Sequence, residues 1–421
     1  MFTRMLKALW LVVLLSGSVA MAETKPAAQE TAPAAAATTE DGAPTGVSTA
    51  PYNDPALPPE VVVRAPGVPE IDAKSYLLVD FQSGEELAGL NPSLKVEPAS
   101  ITKLMTAYII YQELGKGTVK LEDEVLISEK AWKMEGSRMF VELGKKITFE
   151  KLLRGMIIQS GNDAAMALVE HIAGSEDAFV QRMNQAAVTL GMNDTKYVNV
   201  TGWPAKDHYT TARDIVKLAN ALINEFPERY KLYAEKEFSY NNIKQQNRNK
   251  LLWRDASVDG MKTGHTESAG FCLVASAKRD NMRLISVMLG AKSEDSRAEL
   301  SQKLLEYGFR TFEAHKLFNA GAVLADVRIW KGDVSEVPAG ITSDLFVSIT
   351  KGSYDQLDGK MQLDKGVDAP IKRGDVLGKI LIMDKTSGKV VKESPLLALD
   401  DVEEGGWWRG MVDGVQKIFA D

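Results

Sequence analysis

Cysteine, histidine and long apolar runs are all scarce in this chain. One cysteine, Cys272, occurs among 421 residues, so no internal disulfide can form and stability must come from the core. Cys272 lies in the apolar run Gly270-Phe271-Cys272-Leu273-Val274-Ala275 and reads as inert packing. The four histidines, at positions 171, 208, 265 and 315, have no His or Cys neighbour at metal-ligand spacing, so no metal and no other cofactor is expected. Charge of one sign is also lacking. The formal net charge of -7 is mildly acidic and speaks against nucleic acid as a partner.

The apolar run Ala8 to Leu15 is shorter than the ~20 residues a membrane span needs. Arg4 and Lys7 precede it, and the small residues Ser16-Gly17-Ser18-Val19-Ala20-Met21-Ala22 follow. Residues 1–22 therefore read as a secretory signal peptide with Ala20-Met21-Ala22 as cleavage site, an uncleaved anchor being the alternative.

What is present suits a soluble globular protein, with 45% hydrophobic and 25% charged residues over a length that allows more than one domain. Residues 23–66 are rich in Ala, Pro and Thr and read as a disordered tether, although Val61-Val62-Val63 lies near their end. Residues 67–315 read as one mixed α and β unit. Ser75 to Phe81 is a predicted strand, and Pro98-Ala99-Ser100 opens a helix with Ile101, Leu104, Met105, Tyr108 and Ile109 at helical spacing, ended by Gly115. Further helices are expected over 152–158 and 164–172, from Thr211 (with Asp214 as a capping box) through Leu222, and over 300–312. Segments 270–277 and 283–289 flank Lys278-Arg279-Asp280-Asn281 as a hairpin. Residues 316–403 alternate in short segments and predict a small β-sandwich. In 404–421, Trp407, Trp408, Met411, Val412, Val415, Ile418 and Phe419 share a helical face opposite Arg409, Asp413 and Lys417. Such a helix suits a membrane surface; a docked helix or frayed tail is the alternative.

Chemistry gathers in three short motifs. Ser100 and Lys103, three apart on a helix, share a face, so the amine can reach the hydroxyl. Serine needs a base to become a nucleophile, and lysine serves only when burial or a neighbouring cation lowers its pKa. The spacing alone is weak, because Ser348-Ile349-Thr350-Lys351 repeats the same letters in a strand-like segment. There the two side chains would face opposite ways. The first copy gains weight from its company. Ser160-Gly161-Asn162 follows an apolar helix, and Lys262-Thr263-Gly264 offers a cation and a hydroxyl for a carboxylate on a strand, with a glycine that permits close approach.

This ordered set resembles the serine penicillin-binding protein and β-lactamase superfamily. The stretches Pro98 to Thr106, Gln159 to Ala164 and Asp259 to Thr266 are most similar to the low-molecular-mass penicillin-binding proteins, the D-alanyl-D-alanine carboxypeptidases, over roughly Val68 to the C-terminus. The resemblance implies an α+β fold, with an antiparallel sheet covered by helices on both faces, then the small all-β domain and the amphipathic C-terminal helix. It implies that Ser100 attacks the penultimate D-alanine of peptidoglycan pentapeptides and that β-lactams acylate it covalently. Lys103 is then the general base, Ser160 a proton relay, Asn162 an orienting amide and Lys262 an electrostatic aid. The backbone of His265, after Gly264, joins that of Ser100 in an oxyanion hole. Thr263 and Arg248 hold the terminal carboxylate, unless Arg248 is merely a solvated member of the run 245–250; the His265 side chain is as readily structural. The implied location is the periplasmic face of the inner membrane.

A β-lactamase on the same scaffold would need fast deacylation. Class A enzymes use a glutamate for it, and no Glu occurs between Asp177 and Asn224. A DD-endopeptidase using the same residues stays open. A silent wall-binding protein, with function carried by the β domain, sits poorly with a complete reactive set.

Overall fold

The computed structural model describes residues 58–408. The expected signal peptide, and residues 409–421 of the expected C-terminal helix, lie outside them.

The sheet of the first domain grows from apolar runs buried on both faces. Its strands are β1 (Val61–Val63), β2 (Ser75–Asp80), β3 (Glu86–Leu90), β4 (Val258–Thr266), β5 (Gly270–Arg279) and β6 (Met282–Ala291). They lie in the order β1-β3-β2-β6-β5-β4, every neighbouring pair antiparallel. Alternate residues point to opposite faces. Leu77, Val79, Val274, Ile285 and Val287 join one large core, and Tyr76, Leu78, Leu273, Ala275 and Leu284 join a second.

Helices cover both faces, as expected. Toward the larger core lie α1 (Lys103–Lys116), α2 (Phe149–Ile158), α3 (Asn162–Ala173) and α4 (Ala212–Glu225); α5 (Glu294–Thr311) closes the other face. Thr211 caps α4 as predicted, its hydroxyl accepting the Asp214 N–H at 3.1 Å. Two helix ends differ from expectation. Helix α1 runs through Gly115 and stops at Gly117, which takes the left-handed conformation at φ 72°. Helix α5 starts before Leu300 because Ser293 accepts the Ser296 N–H at 3.0 Å and caps it there.

The expected tether is drawn too long. Three β-branched residues make β1, which pairs with β3, and the Tyr307 hydroxyl donates to the Ala65 carbonyl at 2.7 Å. Residues 61–65 thus finish the sheet edge.

The second domain is all-β. Strands β7 (Phe312–Phe318) and β10 (Leu345–Thr350) pair antiparallel. The other six are β8 (Val323–Trp330), β9 (Glu336–Gly340), β11 (Leu357–Leu363), β12 (Val367–Asp368), β13 (Val376–Asp384) and β14 (Val390–Ala398). They form a sheet in the order β11-β13-β14-β9-β8-β12.

A polar clasp joins the two domains, and the second serine-x-x-lysine copy is part of it. The Ser348 hydroxyl lies 2.9 Å from that of Ser83, and the Ser348 N–H donates to Glu85 at 2.8 Å. Arg64 and Lys392 approach the same carboxylate at 3.2 and 3.9 Å. Burial raises the pKa of Glu85 against the opposing pull of these groups.

Candidate active site

A short 3-10 turn, Ala99–Thr102, leads into α1. Ser100 and Lys103 are one turn apart on it, and Lys103 Nζ donates to Ser100 Oγ at 2.9 Å. The same amine donates to the Thr201 carbonyl at 2.9 Å. Lys103 is 2% exposed, which decides its chemistry: it cannot carry charge cheaply. Burial pushes its pKa well below the usual lysine range, Lys262 and Arg248 push it further, and Asp163 opposes them weakly.

The two other motifs converge on this pair. Ser160 and Asn162 sit at the junction of α2 and α3, with Ser160 held at φ 66°, a sparsely populated conformation for a residue with a side chain. Ser160 Oγ and Asn162 Oδ1 are buried and have no hydrogen-bond partner among the described residues. Lys262, Thr263 and Gly264 lie on the edge strand β4. Gly264 is required for close approach, because a methyl there would lie 3.1 Å from both Ala99 Cβ and the Ser100 nitrogen. Glycine thus lets β4 press against the turn that carries Ser100.

A cleft is lined by Ser100, Ser160, Asn162, Arg248, Thr263, Gly264 and His265, among others. Arg248 points there and is not a solvated member of its polar run. Gln245, Asn247 and Asn249 around it are buried, Asn249 bonds the Gly260 carbonyl at 2.9 Å, and Arg248 Nε donates to the Gln159 carbonyl at 3.3 Å. Lys103 and Lys262 stand behind the lining, both nearly fully buried.

Two supporting residues escaped the sequence reading. The Asp163 carboxylate accepts N–H bonds from Met139, Phe140 and Val141 at 2.9, 2.8 and 3.1 Å, tying the loop that carries Gly136 and Ser137 to the start of α3. Its signal was an acidic residue in the first turn of a helix. Arg297 is the largest fully buried side chain, and its Nη1 donates to the Gly264 carbonyl at 3.2 Å. Its guanidinium lies 5.6 Å from the Phe271 ring, which stacks on His265 at 3.9 Å. The signal here was an arginine on the buried face of α5, in line with Ser301 and Leu304.

A serine bonded to a buried lysine of lowered pKa, in a cleft of hydroxyl, amide and cationic groups, has the make-up of a serine acyl-enzyme hydrolase. Comparison with known proteins narrows the class. A family model described as D-alanyl-D-alanine carboxypeptidase matches residues 62–293, and one described as penicillin-binding protein 5, C-terminal domain, matches 312–404. The chain is 42% identical to the D-alanyl-D-alanine carboxypeptidase DacC of Escherichia coli (strain K12), over 83% of this chain and 89% of that one. It is 40% identical to DacA of Haemophilus influenzae, over 84% and 92%. The crystal structure of penicillin-binding protein 5 from Haemophilus influenzae superposes with a TM-score of 0.76 at 40% identity, covering 80% of this chain and 99% of the other. This chain belongs to the D-alanyl-D-alanine carboxypeptidase family.

Proposed function

We propose that the cleft removes the terminal D-alanine from peptidoglycan pentapeptides through an acyl-enzyme on Ser100. The observation that carries this reading is the 2.9 Å contact from the buried Lys103 amine to Ser100 Oγ. In its neutral form Lys103 takes the Ser100 proton as Oγ attacks the carbonyl of the penultimate D-alanine. The oxyanion that forms is held by the N–H groups of Ser100 and His265. Ser160 passes the proton to the departing amine, Asn162 orients the substrate amide, and Thr263 with Arg248 grips the carboxylate of the leaving D-alanine. Lys262 keeps the cleft positive, which favours that carboxylate and holds Lys103 neutral. Water then hydrolyses the Ser100 ester.

β-Lactams open onto Ser100 by the same attack. Their ester outlasts the peptide ester because the opened ring keeps its amine tethered in the cleft, where the D-alanine would have departed, and no carboxylate lines the cleft among the described residues to activate water past it. The assay that tests the reading follows D-alanine release from a pentapeptide beside cleavage of a cross-linked dimer peptide. Fast release with slow dimer cleavage is expected; the reverse would make the enzyme an endopeptidase.

Residues 1–22 are proposed to direct export, and the C-terminal segment to hold the enzyme peripherally at the periplasmic face of the inner membrane. Trp407 and Trp408 support the latter, since both are exposed and their rings stack at 4.0 Å. No described helix is long and apolar enough to cross a membrane. Deleting residues 405–421 should move the protein from the membrane fraction to the soluble one; unchanged fractionation refutes the attachment.

A further inference from the structure

Trp203 lines the active-site cleft, yet the chemistry proposed for the site does not use it. Its position is fixed by an unusually tight loop. The Asn199 side-chain oxygen accepts the N–H groups of Thr201, Gly202 and Trp203 at 3.2, 2.8 and 3.1 Å, and the Asn199 amide donates to the Trp203 carbonyl at 2.8 Å. The loop is then fastened to the nucleophile's helix at three points. Thr106 donates to the Val200 carbonyl at 2.7 Å, and Lys103 donates to that of Thr201. Gly202 adopts φ 87°, so close to the turn before Ser100 that a methyl there would lie 1.7 Å from the Ala99 carbonyl oxygen.

The backbone that carries the indole is therefore preset, and the ring lies partly exposed in the cleft. Its place along the cleft follows from its neighbours. A methyl placed on Gly136 would be 3.0 Å from the Trp203 Cζ3 and 2.9 Å from the Asn162 amide nitrogen. Trp203 thus stands at the Asn162 end. Thr263, which faces the leaving D-alanine in the reading above, lies instead on the edge strand β4, and Arg248 is held on the Gln159 carbonyl. With the carboxylate on Thr263 and Arg248 and the carbonyl on Ser100, we place the part retained in the ester on the indole side of Ser100.

We propose that Trp203 is a specificity residue for the acyl side of the substrate, recognising an apolar or flat group on the retained portion by contact with the indole face. The proposal rests on the acyl-enzyme reading of the site. A rigid aromatic surface supplies contact area at little cost in conformational entropy, and ring pairing adds selectivity for flat groups.

Two penicillins on one nucleus test it, one with a phenylacetyl side chain and one with an acetyl side chain. Second-order acylation rate constants are measured for the wild type, Trp203→Ala and Trp203→Phe. Loss of an aromatic pair should slow Trp203→Ala roughly three- to tenfold on the phenylacetyl compound, with the acetyl compound little changed and Trp203→Phe close to wild type. Equal slowing on both compounds would make Trp203 a mere support of its loop and overturn the proposal, as would no slowing on either. If Trp203→Ala fails to fold, the same ratio read from Trp203→Leu decides. Failure of the acyl-enzyme reading would look different, since the wild type itself would then form no adduct with either compound.

Discussion

Ser100-Ile101-Thr102-Lys103 and Ser348-Ile349-Thr350-Lys351 are the same four letters in two different environments. In the first, helical geometry brings serine and lysine together at 2.9 Å, and burial strips the lysine of easy charge. In the second, strand β10 buries Ser348 against Ser83 and Glu85 and leaves Lys351 exposed beyond the strand's end. The threonines part company as well. Thr102 is buried and hydrogen-bonded to His208 at 2.9 Å, while Thr350 turns to the nearby Ser353 at 2.6 Å. Backbone period, burial and neighbouring charge set the first copy apart; the letters alone do not.

The two lysines differ most. Lys103→Ala should slow acylation by a labelled penicillin roughly 10²–10⁴-fold, the usual worth of a positioned base, while Lys351→Ala leaves the rate unchanged. The pH profile sharpens the point. Because the Lys103 pKa is lowered, acylation should rise with pH and level off well below the range of an ordinary lysine. A rise continuing to about 10.5 would show a solvent-like amine and contradict the account.

Thr102 carries the next difference. Burial lowers the pKa of its partner His208 from 6.5 to about 4. The folded protein therefore resists a proton that the unfolded chain accepts, so stability is full above pH 6.5 and falls as pH drops toward 4. The difference amounts to about 3 kcal/mol at 1.36 kcal/mol per pKa unit. Denaturant melts of wild type and His208→Gln at pH 7 and pH 4 should diverge by that much, whereas parallel losses would mean that His208 does not titrate in this way.

The smallest effect belongs to the second copy. Ser348→Ala removes a hydroxyl from the clasp between the domains and should cost about 1 kcal/mol of stability with no change in acylation rate. A change in rate without a change in stability would reverse the assignment of the two copies.

What could be read from the sequence was local. The strand runs of β2, β5 and β6, the Thr211 cap and the three short motifs each carry their signal within a dozen residues, so fold class and reactive set were visible together. What stayed hidden depends on approach between distant segments. Arg297 on α5 reaches the Gly264 carbonyl on β4, Asp163 gathers a loop more than twenty residues upstream, and Asn199 holds the loop that carries Trp203. The true start of the sheet at Val61 was missed because three valines beside an Ala/Pro/Thr-rich stretch look like its tail until β3 is there to pair with them.

Intact-protein mass spectrometry after exposure to a phenylacetyl penicillin tests the central claim most directly. Wild type and Ser348→Ala should each gain the mass of one opened penicillin, with the adduct on the peptide containing Ser100, and Ser100→Ala should gain none. An adduct that persists on Ser100→Ala, or that maps to Ser348, would contradict it.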